Sequence, residues 1–163
     1  MRRIAIVGYS GSGKDTVATA FARTFGIKRC PSCSEFILPY VAAEKGVTIV
    51  EAWNTRHSSR DIPIWNRIAN NLRESNSPCY LVEQAVKCGG SIIVGIKDRD
   101  EFLYAKNKSL FTCSFWVERN GVPVEPSTTI KKEDCDFVVL NDGHISRTVK
   151  EIARNVLSFE GVK

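Results

Sequence analysis

The stretch Gly8-Tyr9-Ser10-Gly11-Ser12-Gly13-Lys14-Asp15-Thr16 decides the fold class of this 163-residue chain. It follows the apolar run 4–7, which predicts a buried strand, and it precedes apolar residues at helical spacing between Val17 and Phe25. A glycine-rich turn between a strand and a helix is the setting in which the pattern G-x-x-x-x-G-K forms a phosphate-binding loop, or P-loop. We therefore predict that Gly8 to Thr16 bind the phosphates of a nucleotide.

The residue types in this stretch suit that chemistry. Gly8, Gly11 and Gly13 permit backbone angles that are closed to other residues, so successive N–H groups can turn toward one phosphate. The positive end of the following helix adds to the attraction. The Lys14 ammonium supplies a mobile positive charge for the β- and γ-phosphates. The alternative interpretation is a glycine-rich turn that binds nothing.

Asp15 departs from the usual pattern, because P-loops normally carry a serine or threonine there that offers a hydroxyl to Mg²⁺. Thr16 follows one position later. The end of the third predicted strand, where an aspartate for Mg²⁺ is expected, carries Val94 and Gly95 instead. A carboxylate can hold Mg²⁺ directly or through water. We therefore predict that Asp15 binds the metal and that it acts in catalysis with Lys14.

Composition limits the function classes. With 43% hydrophobic and 25% charged residues, the chain predicts one globular domain over residues 1–163. No apolar run approaches the roughly 18 residues that cross a membrane, so we expect a cytoplasmic protein without membrane contact. The net charge of +5 suits a protein that handles small polyanions. That charge is too small and too scattered to indicate nucleic-acid binding.

The six cysteines are expected to be thiols in a cytoplasmic protein. Cys30 and Cys33 have the spacing of half a zinc site, but the other cysteines are dispersed and the two histidines are isolated. Ordinary buried thiols are the favoured interpretation, and a metal or redox role is the alternative.

Apolar strands alternate with amphipathic helices along the rest of the chain. This order predicts an α/β fold with a five-stranded parallel sheet, helices on both faces, and ligands at the carboxyl ends of the strands. The predicted strands are 4–7, 27–30, 91–96, 110–117 and 136–140. Residues 34–75 form a predicted acceptor-binding insert, in which a helix kinks or restarts at Pro39, residues 46–60 are mobile, and a new helix begins at 61–63. Residues 118–130 are the predicted lid.

Arginines matter most for phosphoryl transfer, because the reaction depends on charge compensation at donor and acceptor. Arg60, Arg67 and Arg73 lie in or near the predicted insert, and we assign Arg60 and Arg67 to the catalytic set as contacts for an acceptor phosphate. Arg119 ends the fourth strand and is predicted to close over the nucleotide. The alternative for each is a solvated surface charge. Trp53 and Trp65 are candidates for stacking on a base, with the core as the alternative.

Three segments carry a family resemblance. The start G-Y-S-G-S-G-K-D-T-V-A resembles the P-loop of phage-type deoxynucleoside monophosphate kinases, in which Asp follows the loop Lys and Thr comes next. Residues 92–101 resemble the third strand and following helix of that family, with Lys97 at the position of its Arg and Glu101 at that of its Glu. The ending 136–143 and its following helix resemble those kinases and dephospho-coenzyme A kinases.

The resemblance implies a P-loop kinase fold and a kinase that uses ATP and Mg²⁺ to convert a (deoxy)nucleoside monophosphate into its diphosphate. It also implies that residues 8–16 hold ATP, that Asp15 works with magnesium, that residues 60–73 bind the acceptor, and that Arg119 belongs to the lid. Val94 and Lys97 depart from the family pattern. Two alternatives remain open: a kinase of another phosphorylated small molecule such as dephospho-coenzyme A, and an ATP-binding module without catalysis. A homodimer is compatible with each.

Overall fold

A parallel sheet of four strands forms the centre of the computed structural model, which describes residues 3–161. The strands are β1 (Ile4–Val7), β2 (Ile92–Val94), β3 (Cys113–Glu118) and β4 (Phe137–Leu140). They lie side by side in the order β2-β1-β3-β4, and each neighbouring pair is parallel. The helices are α1 (Lys14–Phe25), α2 (Cys33–Lys45), α3 (Ile49–Thr55), α4 (Ile62–Ser75), α5 (Tyr80–Lys87), α6 (Arg99–Asn107) and α7 (Ile145–Gly161), with a short 3₁₀ turn at Lys132–Asp134.

Helices cover both faces of the sheet, as the uniformly apolar strands predict. Ile4 and Ile6 point to one face, where they join a core with side chains of α1 and α7. Ala5 and Val7 point to the other face, where α2, α4, α5 and α6 contribute the core. Because successive strand residues alternate between two covered faces, every residue of β1 is buried. Within residues 3–161, no helix has the length and apolar character needed to cross a bilayer.

The prediction of a fifth strand at 27–30 is wrong for the described sheet. Only Arg29 of this segment forms an isolated parallel bridge, with Ile92 on the outer side of β2. The Cys30 N–H donates to the Ile92 carbonyl at 2.8 Å. Pairing stops there because Pro31 follows and has no N–H to donate. The segment therefore extends the edge of the sheet without becoming a strand.

The prediction that a helix restarts at Pro39 is wrong, because α2 continues through Pro39 between a capping box at Ser32 and a left-handed Gly46. A kink at Pro39 stays a prediction. The segment 46–60, predicted to be mobile, contains α3, which begins with a capping box made by Thr48 and Glu51. The helix start at 61–63 is confirmed, because α4 follows Asp61 and has proline in its first turn.

The topology gathers four connections at one edge of the sheet. The P-loop follows β1, residues 95–98 follow β2, residues 119–130 follow β3, and Asn141 follows β4. All four strands are parallel, so these connections all leave the carboxyl edge, where ligands bind in open α/β sheets. The candidate site lies at this edge.

Candidate functional site

The P-loop is held in shape by its neighbours. Gly8 has a φ of 146°, and a Cβ built there would lie 2.5 Å from the Val117 carbonyl oxygen of β3. Gly13 is left-handed at the start of α1, and a Cβ there would collide with the Asn141 side-chain amide. That amide donates to the Ser12 carbonyl at 2.9 Å. The two glycines are therefore required by close contacts as well as by backbone conformation.

Lys14 and Asp15 begin α1 at the mouth of the loop. The Lys14 side chain is 10% exposed, and its ammonium lies 3.4 Å from the Tyr9 carbonyl oxygen and 3.7 Å from the Asp15 carboxylate. Burial lowers the pKa of Lys14, and the charge of Asp15 opposes that effect. The Asp15 carboxylate is half exposed and forms a second ion pair with Arg29 at 3.3 Å. A partly buried ammonium and an exposed carboxylate thus lie side by side at the loop.

A cavity of about 750 Å³ opens in front of the P-loop. One side, which we call the P-loop wall, consists of Ser10, Gly11, Gly13, Lys14, Asp15 and Thr16. A second group of lining residues, which we call the helical wall, comes from α3, α4 and the turn between them: Trp53, Arg56, His57, Ile62, Trp65, Asn66, Ala69, Asn70 and Arg73. Lys97 and Arg119 also line the cavity. A volume of this size accommodates a small-molecule ligand.

Arg56 is the cation of the helical wall that is best placed to bind an anionic ligand. Its guanidinium lies 4.0 Å from the centroid of the Trp53 ring, and it donates to the Trp53 carbonyl at 2.7 Å. Within residues 3–161, no carboxylate forms an ion pair with it. Stacking on Trp53 fixes the guanidinium plane and leaves N–H donors for a ligand.

Arg73 lines the same wall but is already paired. Its guanidinium lies 2.8 Å from the carboxylate of Glu101, which is 1% exposed and also accepts the backbone N–H groups of Leu81 and Val82. Burial raises the pKa of Glu101, and Arg73 opposes that rise. The pair therefore joins α4, α5 and α6 behind the cavity.

Arg60 and Arg67 do not line the cavity. Arg67 is 53% exposed at its side chain and pairs with Glu44 of α2 on the outer surface. Arg60 is exposed in the turn before α4. The structure therefore does not bring these two arginines to the P-loop wall, and their assignment to an acceptor stays a prediction. Arg119, by contrast, lines the cavity, and its role in closing over a nucleotide stays a prediction.

The segment after β3 reaches back to the P-loop. Glu125 accepts a hydrogen bond from the Ser10 backbone N–H at 2.9 Å and pairs with Lys97 at 2.5 Å. The far end of the segment is anchored, because the Thr129 N–H donates to the Lys97 carbonyl at 2.9 Å and Ile130 is buried. Residues 119–130 therefore close one side of the cavity through side-chain and backbone contacts.

The carboxylates that line the cavity are suitable ligands for a magnesium ion that also binds a nucleotide. Mg²⁺ prefers oxygen ligands, keeps several waters, and is usually held by one or two carboxylates together with substrate phosphates. Asp15 offers such a carboxylate, half exposed at the P-loop wall. Asp98 also lines the cavity but caps α6 and lies 3.8 Å from Arg73. The assignment of the ion to Asp15 stays a prediction, because the Asp15 carboxylate is already paired with Lys14 and Arg29.

The cysteines do not form a metal site in the described part of the chain. Cys30 and Cys33 are buried free thiols, and no group of three or more histidine, cysteine, aspartate or glutamate side chains between residues 3 and 161 is arranged to hold a metal. Burial raises the pKa of Cys33 well above its usual range. A protonated thiol of this kind contributes to packing.

Comparisons with known proteins agree with this architecture. The shikimate kinase from Aquifex aeolicus superimposes with a TM-score of 0.57 at 18% identity, over 98% of this chain and 96% of that one. The shikimate kinase from Bacteroides thetaiotaomicron gives 0.53 at 12% identity, over 95% and 98%. No protein-family model matches the sequence, and the curated proteins give no match either. The chain thus shares its fold with these two shikimate kinases over almost its whole length.

Sequence reasoning missed two functional candidates. Arg56 lies in the segment that was expected to be mobile, although the pattern Thr48-x-x-Glu51 is a capping box that indicates a helix start. Glu125 has no local signal, because its partners at Ser10 and Lys97 lie far away in the sequence. Contacts of this kind depend on the tertiary fold.

Proposed function

We propose that this protein is an ATP-dependent kinase that transfers a phosphoryl group to a nucleoside monophosphate, with a deoxynucleotide as the preferred acceptor class. The observation that carries the proposal is that one cavity is lined both by P-loop residues 10, 11 and 13–16 and by the aromatic rings, amides and arginines of the helical wall. The fold shared with P-loop kinases supports the reaction class, and the sequence resemblance described above supports the acceptor.

The P-loop wall supports nucleotide binding. Its backbone N–H groups and the start of α1 favour anions. Lys14 adds a positive charge, and because that ammonium is largely buried, it is poorly hydrated. Arg119 extends this positive surface along the cavity. Mg²⁺, held at Asp15 together with nucleotide oxygens, would neutralise charge on the β- and γ-phosphates. ATP is therefore the expected donor.

The helical wall supports an acceptor with both a phosphate and an aromatic base. Trp53 and Trp65 present apolar rings, and Asn66 and Asn70 offer amide groups that can hydrogen-bond to the edge of a base. The indole N–H of Trp65 is buried and has no hydrogen-bond partner within residues 3–161, so Trp65 is proposed to contact the base through its ring and not through that N–H. Arg56 supplies a guanidinium that can grip a phosphate through two N–H donors.

In this mechanism the chain acts by positioning and by charge. The P-loop amides and Lys14 orient the γ-phosphoryl group, and Arg56 orients the acceptor phosphate whose oxygen attacks it. The acceptor oxygen is already anionic near neutral pH, so no side chain has to remove a proton. Closure by residues 119–130 would exclude water, which would otherwise compete as a nucleophile.

The test is an acceptor panel. ADP formation from ATP and Mg²⁺ is measured by a coupled assay with the four common deoxynucleoside monophosphates, their ribose counterparts, dephospho-coenzyme A and shikimate. We expect turnover with one or more nucleoside monophosphates. Turnover with shikimate or dephospho-coenzyme A alone would overturn the proposed acceptor, and ATP binding without transfer to any acceptor would overturn the kinase.

A further inference from the structure

Glu125 brings a carboxylate to the P-loop from a position 115 residues away in the sequence. One oxygen accepts the Ser10 backbone N–H at 2.9 Å, and the other lies 2.5 Å from the Lys97 ammonium. The hydroxyls of Ser127 and Thr128 each donate to this carboxylate at 3.0 Å. The side chain is only 14% exposed. Glu125 is thus an anion that this chain itself places in a ring of donors.

The donors around Glu125 are ones that a substrate phosphate would use. The Ser10 N–H belongs to the P-loop, and Lys97 lines the same cavity as Lys14. Burial lowers the pKa of Lys14, Lys97 lowers it further, and the negative charges of Asp15 and Glu125 act in the opposite direction. Lys14, Lys97 and Glu125 therefore lie within electrostatic range of one another at the mouth of the loop.

A bound phosphate and the Glu125 carboxylate compete in this place. The Ser10 N–H donates to the carboxylate at 2.9 Å, so a phosphoryl oxygen can take that donor only after the carboxylate has moved away. Two anions at one ammonium also repel each other, and partial burial strengthens that repulsion. Glu125 therefore opposes the entry of a further anion at this subsite.

We propose that Glu125 is an internal substitute for a substrate phosphate, and that the phosphate chain of a bound nucleoside triphosphate displaces it from the Ser10 N–H and Lys97. This inference rests on the proposed function, because it takes ATP as the ligand of the P-loop. The contacts at Thr129 and Ile130 do not involve the Glu125 carboxylate, so they hold the end of the segment in place while the Glu125 side chain moves away. Nucleotide binding thereby breaks the contacts of Glu125 with Ser10 and Lys97, and residues 119–130 remain available to close over the bound nucleotide.

The displacement reduces the apparent affinity for nucleotide. When only a fraction of the molecules has the subsite free, the apparent dissociation constant rises by the inverse of that fraction. If the carboxylate is withdrawn in about a tenth of the molecules, its removal tightens binding about tenfold. Glu125→Ala removes the competitor altogether, and Glu125→Gln removes its charge while keeping its shape.

The experiment is titration calorimetry of the full chain with a non-hydrolysable ATP analogue and Mg²⁺. It compares wild type, Glu125→Ala, Glu125→Gln and the matched control Glu133→Gln, which removes a negative charge from an exposed position in the 3₁₀ turn. We expect about tenfold tighter binding for Glu125→Ala, a smaller gain for Glu125→Gln, and wild-type affinity for the control. Circular dichroism confirms that each variant is folded, and Glu125→Gln decides the result if the alanine variant does not fold.

The other outcomes distinguish failure of this inference from failure of the proposed function. Unchanged or weaker binding in a folded Glu125→Gln or Glu125→Ala variant would show that Glu125 only supports the segment 119–130, and would overturn the proposal. If neither wild type nor the variants bind nucleotide, both this inference and the proposed function fail. Tighter binding in the variants without phosphoryl transfer to any acceptor would overturn the proposed function and leave the role of Glu125 intact.

Discussion

The two walls of the cavity are built in different ways. The P-loop wall comes from one short segment, residues 10–16, and Gly8 and Gly13 fit the loop closely against Val117 and Asn141. The helical wall consists of side chains from α3 and α4 that distant ion pairs hold in place, such as Arg73 with Glu101 and Lys45 with Asp61. The P-loop wall should therefore tolerate substitutions elsewhere on the surface. The shape of the helical wall, in contrast, depends on ion pairs with residues in other helices.

The largest effect is expected from Lys14→Ala, which removes the P-loop wall's charge on the donor. Phosphoryl transfer should fall at least about 10³-fold, because this reaction is catalysed by positioning and charge. Lys132→Ala, which removes an exposed lysine 3.6 Å from Glu118, is the control and should keep wild-type kcat. The measurement is ADP formation at saturating ATP. Normal turnover in a folded Lys14→Ala variant would contradict the assignment of the wall.

Among the residues of the helical wall, substitution of Arg73 is expected to lower the free energy of unfolding most. Arg73→Ala leaves the buried Glu101 carboxylate without its cation and should cost about 3–5 kcal/mol of unfolding free energy. Arg67→Ala breaks an exposed pair with Glu44 and should cost about 0–1 kcal/mol. Urea denaturation of both variants gives the comparison.

Acid should relieve the Arg73→Ala defect. Burial already raises the pKa of Glu101, and loss of Arg73 raises it further, so the unpaired carboxylate takes up a proton as the pH falls. The penalty for the ionised form exists only above that pKa. Denaturation at a series of pH values should therefore show a deficit that shrinks toward acid. Equal costs for Arg73→Ala and Arg67→Ala at neutral pH would show that the buried pair does not organise this wall.

Arg56 tests whether the helical wall binds an acceptor phosphate. Arg56→Ala should lower kcat/KM for the acceptor about 10- to 100-fold, mainly through KM, because a charge-assisted contact contributes about 1.5–3 kcal/mol. Arg154→Ala, on the exposed surface of α7, is the control. Arg60→Ala and Arg67→Ala test the sequence-based prediction that these two arginines bind the acceptor. If either variant lost as much kcat/KM as Arg56→Ala, that residue would be the better candidate for the acceptor contact.

The last effect concerns the contact that joins residues 119–130 to the P-loop wall. Burial opposes ionisation of Glu125, but the ion pair with Lys97 and the Ser10 and Ser127 hydrogen bonds outweigh it and lower the pKa to about 2. An acid with a depressed pKa in the folded state contributes stability that is present above its unfolded value, about 4.5. That contribution is lost as the pH falls toward 2.

Urea denaturation of wild type and Glu125→Gln at a series of pH values checks this effect. The difference in unfolding free energy should be constant above about pH 5 and shrink below about pH 4.5. A difference that stays the same throughout the acid range would show that the Glu125 charge does not contribute to stability.

The same contrast explains how far the sequence predicts the structure. The strand, the P-loop and α1 follow from neighbouring residues, so the loop and its position at the sheet edge could be predicted. The missing strand at 27–30 depends on Pro31, which ends pairing after a single bridge. The cavity arginines depend on which turn of which helix faces the P-loop, and here Arg56 lines the cavity while Arg67 pairs with Glu44. The local sequence does not indicate which of these arginines lines the cavity.

The central claim is that the cavity transfers the γ-phosphoryl group of ATP to the phosphate of a nucleoside monophosphate. The most direct measurement is phosphorus NMR of wild-type protein with ATP, Mg²⁺ and the best acceptor of the panel, beside an identical sample that contains the corresponding nucleoside. The account predicts signals of both ADP and a second nucleoside diphosphate in the first sample and no transfer in the second. Transfer to the nucleoside, or ADP accompanied only by free phosphate, would contradict it.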